Sequence, residues 1–168
     1  MSISTKTGDL GKTDLIGERV DKNDSRIIFN GLIDELCSYW AYLGLLIKEH
    51  GFTLHYPHKE LIKDFSSIMG EIAYSSKSFI ILEKNRIDKL DEVIKNIESA
   101  KGALSGFVNY STLDSIVAHQ LNLFRCKVRQ AELYYVNVLE EHDLSPLILK
   151  YLNRLSDYIF LEMIQNIA

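Results

Sequence analysis

Apolar residues recur at intervals of three and four along most of this 168-residue chain. After Gly31 the spacing is carried by Leu32, Ile33, Leu36, Trp40, Leu43 and Ile47. That interval places side chains on one face of an α-helix, and no stretch keeps the alternation of a half-buried strand for long. The pattern predicts an all-α fold, a bundle of about five helices with an N-terminal polar, glycine-containing arm.

Turn-forming residues divide the pattern into five predicted helices. They run, in order, from about Leu32 to His50, from about His58, from Arg86 to Lys101, from about Leu113 to Glu141, and from Ser145-Pro146 to the C-terminus. Serine can cap the last helix, and proline at its first position loses no hydrogen bond. We expect a single domain over residues 1–168, with the arm at 1–28 and the bundle at 29–168.

Composition excludes several classes of protein. Hydrophobic residues make up 46% of the chain and the net charge is −4, which argues against disorder and against general attraction to nucleic acid or acidic membranes. No apolar run approaches the ~20 residues of a membrane span, and there is no apolar signal core. Cys37 and Cys126 lie in apolar patterns without paired spacing, so we expect buried, reduced thiols and a cytoplasmic protein.

The arm reads "TKTGDLGKTDLIGERV", too rich in glycine for a helix and too polar for a core. It is either a disordered leader or an anion-binding loop. Gly8 and Gly11 free backbone amides, and Lys6 stands among the hydroxyls of Thr5, Thr7 and Thr13, a combination that suits a polyphosphate. A Walker A loop is excluded, because the spacing between glycines and the flanking strand that it needs are both missing.

Polar residues interrupt the apolar pattern of the fourth predicted helix. Asn122, Arg125, Arg129 and Glu132 follow one another at steps of three and four, forming one polar ridge. Two arginines one turn apart repel each other unless an anion or an acid lies between them. The ridge is therefore either a solvated face or a binding surface, and Asp34 on the first helix is poised to pair with one of its arginines.

Asn153 and Asp157 form a polar pair among the leucines of the last helix. Asn153 either caps a neighbouring helix or binds a ligand. A di-iron bundle is excluded because no histidine follows a glutamate by three residues. We expect His119, in the middle of the fourth helix, to be satisfied within the protein or exposed.

Three separated blocks of sequence resemble a known family. They are "TKTGDLGKTDLIGERVDKNDSRI" followed by "GLIDELCSYWAYLG", then "FRCKVRQAE", then "LNRLSDYIF". The blocks resemble the PduO-type ATP:cob(I)alamin adenosyltransferases, in the family's order and over almost the whole chain. The resemblance implies a homotrimer of five-helix bundles with ATP at the subunit boundaries. It also implies transfer of the 5'-deoxyadenosyl group of ATP to cob(I)alamin, with Mg²⁺ shared by the phosphates.

The resemblance also implies roles for individual residues. The positions that match the family's ATP-binding residues are Thr5, Lys6, Thr7, Gly8, Asp9, Gly11, Thr13, Lys22, Arg129, Glu132 and Asn153. Arg129, Arg125 and Asp34 match its catalytic positions, Asp34 pairing with Arg125 of the next subunit. Phe107 matches the phenylalanine that packs at the corrin, with Tyr110 as a rival.

The chain departs from the family pattern at the loop "FVNYST", at Gln130 and at Asn122. These departures lie on the corrin side or on the arginine helix. We therefore keep three hypotheses: an active adenosyltransferase, a module that binds ATP or adenosylcobalamin for sensing or delivery, and a purely structural bundle. The resemblance suggests a corrinoid reductase or a cobalamin-dependent enzyme as a partner, and the net charge and the lack of an apolar span argue against nucleic acid and a membrane.

Overall fold

The computed structural model describes residues 6, 8–76, 78–101 and 108–165. Its elements are β1 (Lys12–Leu15), β2 (Glu18–Asp21), α1 (Ser25–Glu49), α2 (His58–Tyr74), α3 (Lys84–Lys101), α4 (Ile116–Glu141) and α5 (Leu147–Gln165), with a short 3-10 turn at Tyr110–Thr112. The predicted all-α bundle of five helices is confirmed, and α2 begins at the predicted residue. Among the described helices, none is long and apolar enough to cross a bilayer.

Helix α1 begins earlier than the sequence indicated. Asp24 caps it, its carboxylate accepting a hydrogen bond from the Arg26 backbone N–H over 2.9 Å. Phe29 is fully buried, with its ring centroid 4.7 Å from that of Tyr135. The prediction that the helix starts after Gly31 was wrong, because a cap and a buried aromatic outweigh the cost of about 1 kcal/mol for one glycine inside a helix.

Serine side chains set the starts of the last two helices. Ser115 Oγ accepts a hydrogen bond from the Ala118 backbone N–H over 3.2 Å, so α4 begins at Ile116 rather than at Leu113. Ser145 Oγ accepts one from the backbone N–H of Leu147, also over 3.2 Å, which confirms the predicted serine cap of α5.

The core lies between α4 and the helices packed on it. Helix α4 packs against α5 and α1, α1 against α2, and α3 against α5. The fully buried ring of Phe124 lies at their centre, with its centroid 5.0 Å from Trp40 on α1 and 6.4 Å from Phe65 on α2. Burying each such ring contributes roughly 2 kcal/mol to folding, so this cluster holds the helices that carry the polar ridge.

The arm contains a β-hairpin that the sequence analysis did not predict. Strands β1 and β2 pair antiparallel, Lys12 opposite Asp21, and Gly17 between them has φ +89°. The strands are four residues each, too short for their alternation to stand out. The Ile16 backbone N–H donates to Ala73 O over 2.9 Å, which attaches the hairpin to the end of α2.

A buried arginine also anchors the hairpin. The Arg26 guanidinium donates two hydrogen bonds to the Asp24 carboxylate, over 2.9 and 2.7 Å, and one to Glu18 of β2 over 2.5 Å. The hydrogen bonds from Arg26 hold the pKa of Asp24 below its usual value. His142, just after α4, has Nε2 3.7 Å from Asp24 Oδ1. Arm, α1 and the end of α4 therefore meet at Arg26.

The cysteines are not the buried pair that we predicted. Cys37 is half-buried and Cys126 is exposed; both are free thiols. Cys126 lies outside the buried stripe of α4, which passes through Phe124 and Val128. One residue corresponds to a rotation of about 100° around a helix, so a neighbour of a buried residue can face water.

His119 is exposed, with Nε2 3.0 Å from Leu113 O, as expected.

Candidate functional site

The polar ridge on α4 faces α3 and α5. Arg125 donates from Nε and Nη2 to Asn122 Oδ1, over 3.1 and 3.0 Å. Its guanidinium carbon lies 5.7 Å from the ring centroid of Phe160 on α5. These contacts hold the first arginine of the ridge in one orientation against α5.

Arg129 lies one turn further along α4 and is exposed. It makes no hydrogen bond or ion pair with another described residue. Together with Arg125, Asp157 and Phe160 it lines a cavity of about 400 Å³ between α3, α4 and α5. Desolvation raises the pKa of Asp157, and the charges of Arg154 and Arg129 oppose the rise. Arg129 is thus a cation beside a cavity, available to an anionic ligand.

Glu132 and Asn153 meet at the next step of the ridge. Asn153 Nδ2 donates to Glu132 Oε1 over 2.9 Å, and Asn153 Oδ1 accepts from Arg154 Nη1 over 2.8 Å. Asn153 therefore joins two side chains. All three residues line a second cavity, of about 460 Å³, together with Lys84 and Lys150. The ridge thus runs along two adjacent cavities.

The described part of the arm folds into tight turns. The Gly11 backbone N–H donates to Gly8 O over 3.2 Å, and the Lys22 N–H donates to Gly11 O over 2.8 Å. Gly11 has φ +76°, a conformation that favours glycine. A Cβ on Gly8 would lie 3.1 Å from Lys22 Nζ, so the absence of a side chain lets the lysine ammonium approach the backbone.

The other predicted residues of the arm surround these turns. Lys6, Asp9 and Lys22 are exposed, and Thr13 lies on β1 opposite Val20. Lys6 has φ +57° and its carbonyl accepts from the Asp9 backbone N–H over 3.5 Å. The arm therefore combines two exposed lysines with backbone turns, as an anion-binding loop requires.

The arm and the ridge lie against different parts of the bundle. The described contacts attach the arm to the ends of α1, α2 and α4, whereas the ridge faces α3 and α5. Thr5, Thr7 and Phe107 lie outside the described residues. Tyr110, the alternative to Phe107, is exposed in the 3-10 turn before α4.

Asp34 does not pair with a ridge arginine of its own chain. It is exposed on α1 and makes no ion pair with another described residue. The neighbouring Glu35 instead accepts a hydrogen bond from Lys127 Nζ on α4 over 2.6 Å. Within one chain the register of α1 on α4 brings Glu35 rather than Asp34 to a basic residue of α4, and the pairing of Asp34 with Arg125 of a neighbouring subunit stays a prediction.

Two residues at the second cavity were missed by the sequence analysis. Arg154 Nε donates to Asp91 Oδ1 on α3 over 2.6 Å, in addition to the bond from Arg154 to Asn153. Arg154 stands beside Asn153 in the block "LNRLSDYIF" and could have been noticed there. Asp91 carries no local signal, since it lies 63 residues away from Arg154. No group of three or more His, Cys, Asp or Glu in the described part of the chain is placed to hold a metal ion.

Comparison with known proteins identifies the family. The model of the cobalamin adenosyltransferase family matches residues 3–165. A corrinoid adenosyltransferase of Bacillus subtilis is 31% identical over 168 residues, covering 95% of this chain and 83% of the relative.

Two solved structures, both variants of a PduO-type ATP:corrinoid adenosyltransferase from Lactobacillus reuteri, have the same fold. An arginine-to-lysine variant complexed with ATP is 25% identical with a TM-score of 0.80, covering 96% of this chain and 91% of that one. A phenylalanine-to-alanine variant complexed with cobalamin and ATP is 26% identical with a TM-score of 0.77, over the same shares of each chain. By sequence and by fold, this chain belongs to the cobalamin adenosyltransferase family.

Proposed function

We propose that this protein transfers the 5'-deoxyadenosyl group of ATP to the cobalt of cob(I)alamin, giving adenosylcobalamin and triphosphate. The observation that carries the proposal is Arg129, an exposed guanidinium on the wall of a cavity and one step from the Glu132–Asn153 pair. It makes no hydrogen bond or ion pair with another described residue. A polyphosphate supplies what this arginine lacks, because a guanidinium binds two phosphate oxygens at once.

The arm supplies the second half of the proposed ATP site. Lys6 and Lys22 bring positive charge to the turns at Gly8 and Gly11, and the missing side chain of Gly8 lets the Lys22 ammonium lie close to the backbone. We assign the phosphates to Lys6, Gly8, Asp9, Gly11, Thr13 and Lys22, together with Thr5 and Thr7, and to Arg129. Glu132 and Asn153 hold the nucleoside. Mg²⁺, shared by the phosphates, would neutralise part of their charge.

The reaction needs positioning more than acid–base chemistry. Cobalt(I) is the nucleophile: a cobalt–carbon bond forms at the 5' carbon of the ribose while the bond from that carbon to the phosphate oxygen breaks. Triphosphate leaves with the electron pair of the broken bond. The protein has to align the 5' carbon with cobalt. It also has to stabilise the negative charge that develops on triphosphate, and we assign that role to Arg129, Lys6 and Lys22. We assign the corrin contact to the segment around Phe107 and Tyr110.

We further propose a homotrimer with ATP bound between subunits. Large apolar side chains are exposed on α1 and α4, among them Leu45 at 70% and Leu133 at 64%. A groove of about 420 Å³ between the two helices is lined by Ile28, Leu32 and Leu133. Another copy of the chain would bury this surface. It would also bring the arm of one subunit to the ridge of the next, and Asp34 of one to Arg125 of another.

The test is direct. The protein is incubated with ATP, Mg²⁺ and chemically reduced cobalamin in the dark, and the corrin absorption spectrum is followed together with triphosphate release. We expect light-sensitive adenosylcobalamin and triphosphate in equal amounts. ATP binding without either product would instead support the binding module. We place the reaction in the cytoplasm, where an exposed thiol such as that of Cys126 stays reduced and a reductase can supply cobalt(I).

A further inference from the structure

We infer that Asp91 and Arg154 are positioning residues that orient the side-chain amide of Asn153 toward the nucleotide. The inference rests on the proposed function in one respect, which is that the ligand of Asn153 is ATP. It adds α3 to the proposed site, through residues that do not touch the nucleotide themselves.

The residues form a continuous chain of hydrogen bonds across three helices. Asp91 on α3 accepts from Arg154 Nε over 2.6 Å, and Arg154 Nη1 donates to Asn153 Oδ1 over 2.8 Å. Asn153 Nδ2 then donates to Glu132 Oε1 on α4 over 2.9 Å. All four residues line the cavity of about 460 Å³. The chain therefore begins at an exposed ion pair and ends on the proposed nucleotide-binding ridge.

The chemistry of the two neighbours selects one orientation of the asparagine amide. Arginine only donates hydrogen bonds, so the amide oxygen must face Arg154. A carboxylate only accepts, so the amide nitrogen must face Glu132. In the opposite orientation the amide nitrogen would meet a cation and the amide oxygen an anion. The selected orientation leaves one N–H donor of Asn153 available for an acceptor atom of the nucleotide.

Arg154 needs its ion pair with Asp91 in order to keep donating a hydrogen bond to the amide oxygen of Asn153. Its side chain is 43% exposed, and its other acidic neighbour, Asp157, lies 3.9 Å away, at the limit of an ion pair. Without Asp91, a long side chain at this exposure gains rotamers in which it no longer donates to Asn153. An exposed ion pair of this kind contributes little to overall stability, so its loss should be felt in binding rather than in folding.

Whether loss of Asp91 weakens or tightens ATP binding distinguishes a positioning role from a purely electrostatic one. Asp91 is a negative charge near the proposed site of a polyanion, so removal of that charge alone should tighten ATP binding. Positioning predicts the opposite, since ATP must then bind to a protein in which Arg154 no longer holds the amide oxygen of Asn153 and only Glu132 orients the amide. Asp88, exposed on the same helix and lining the same cavity, makes no hydrogen bond or ion pair with another described residue. It is the matched control for the charge.

The experiment compares ATP binding by calorimetry in the wild type, Asp91→Asn, Asp91→Glu and Asp88→Asn. We expect Asp91→Asn to weaken binding about fivefold, the scale of one lost hydrogen bond. We expect Asp91→Glu to recover part of the loss, and Asp88→Asn to leave affinity unchanged or tighter. In steady-state kinetics, Asp91→Asn should raise KM for ATP while kcat and KM for cobalamin stay near wild type.

A double-mutant cycle tests whether Asp91 acts through Asn153. In an Asn153→Ala background, Asp91→Asn should no longer weaken ATP binding, and affinity should be unchanged or tighter. The inference is overturned if Asp91→Asn binds ATP as tightly as wild type, or if Asp91→Asn still weakens ATP binding without Asn153. Because calorimetry measures ATP binding without turnover, failure of the inference can be distinguished from failure of the proposed function. A wild type that makes no adenosylcobalamin would overturn the proposed function. A fivefold loss of ATP affinity in Asp91→Asn would still support the inference.

Discussion

The Nδ2 atom of Asn153 donates a hydrogen bond to Glu132 Oε1 over 2.9 Å, which joins the middle of α5 to the polar ridge of α4. The pair depends on the amide: a carboxylate at the same place would face Glu132 with like charge. We therefore expect Asn153→Asp to weaken ATP binding by about tenfold or more, because repulsion moves both groups apart. Calorimetry measures the loss. Asn96→Asp, on the exposed side of α3, is the control and should bind ATP normally.

Replacement of Arg129 separates binding from catalysis. Lysine keeps the positive charge but cannot form the bidentate hydrogen bonds of a guanidinium with phosphate oxygens. We expect those bidentate bonds to strengthen as negative charge develops on the departing triphosphate. Arg129→Lys should keep the fold and bind ATP within about tenfold of wild type, yet lose ~2–4 kcal/mol of transition-state stabilisation, as for a lost oxyanion donor. Steady-state kinetics at saturating cobalamin measure this loss. Unchanged turnover would mean that Arg129 is only a surface charge.

Assembly should depend on Asp34 and not on its neighbour. If Asp34 pairs with Arg125 of another subunit, Asp34→Asn leaves that arginine uncompensated and should weaken the trimer by a few kcal/mol. Glu35→Gln is the control, since Glu35 pairs with Lys127 of its own chain. Reversing the charges of both Asp34 and Arg125 should restore part of the assembly. Light scattering gives the mass, and a fully active wild-type monomer would refute the model.

Arg26 should hold the arm to the bundle. Its side chain is 8% exposed and pairs with Asp24 and Glu18, so its loss leaves two carboxylates without their guanidinium partner. We expect Arg26→Met to lower the free energy of unfolding by roughly 2–3 kcal/mol, below the range for fully buried pairs because Glu18 is half exposed. Urea denaturation measures it. The exposed Arg19–Asp14 pair is the comparison: Arg19→Met should cost about 1 kcal/mol or less. Equal losses would contradict an anchoring role for Arg26.

The buried Glu71 should give stability an unusual dependence on pH. Desolvation raises its pKa above 4.5, although its Oε2 accepts hydrogen bonds from the backbone N–H groups of Ile81 and Leu82. The native state therefore holds this proton at pH values where the unfolded state has lost it, so stability falls as pH rises through that window. Glu71→Gln should remove this fall in pH-dependent urea denaturation.

A second glutamate, Glu60, should change stability with pH in the opposite direction to Glu71. Hydrogen bonds from Lys63 and Arg86 lower the pKa of Glu60 to about 2. Its contribution to stability is therefore present above the unfolded pKa of 4.5 and is lost as pH falls. Glu60→Gln should flatten the acid side of the stability curve. If Glu71→Gln and Glu60→Gln changed the curve in the same direction, the assignment for Glu71 would be wrong.

The sequence by itself determined the helices and the residues that stand on the polar ridge. Spacing of three and four is a local property of the chain, so Arg125, Arg129 and Glu132 could be placed on one face of α4 before any packing was known. The cap at Ser145 was likewise visible, because a serine hydroxyl reaches an amide two residues away within the same segment. The resemblance added roles for these residues, which periodicity could not supply.

Only the tertiary structure decided which side chains meet across helices. Asp91 joins Arg154 and Asn153 because α3 packs on α5, and Glu35 rather than Asp34 reaches Lys127 because of how α1 lies on α4. Such pairings depend on helix register and on the shape of the core between distant segments. Local hydrogen bonding and propensity carry no information about either, so these contacts emerge only when the whole apolar surface is buried together.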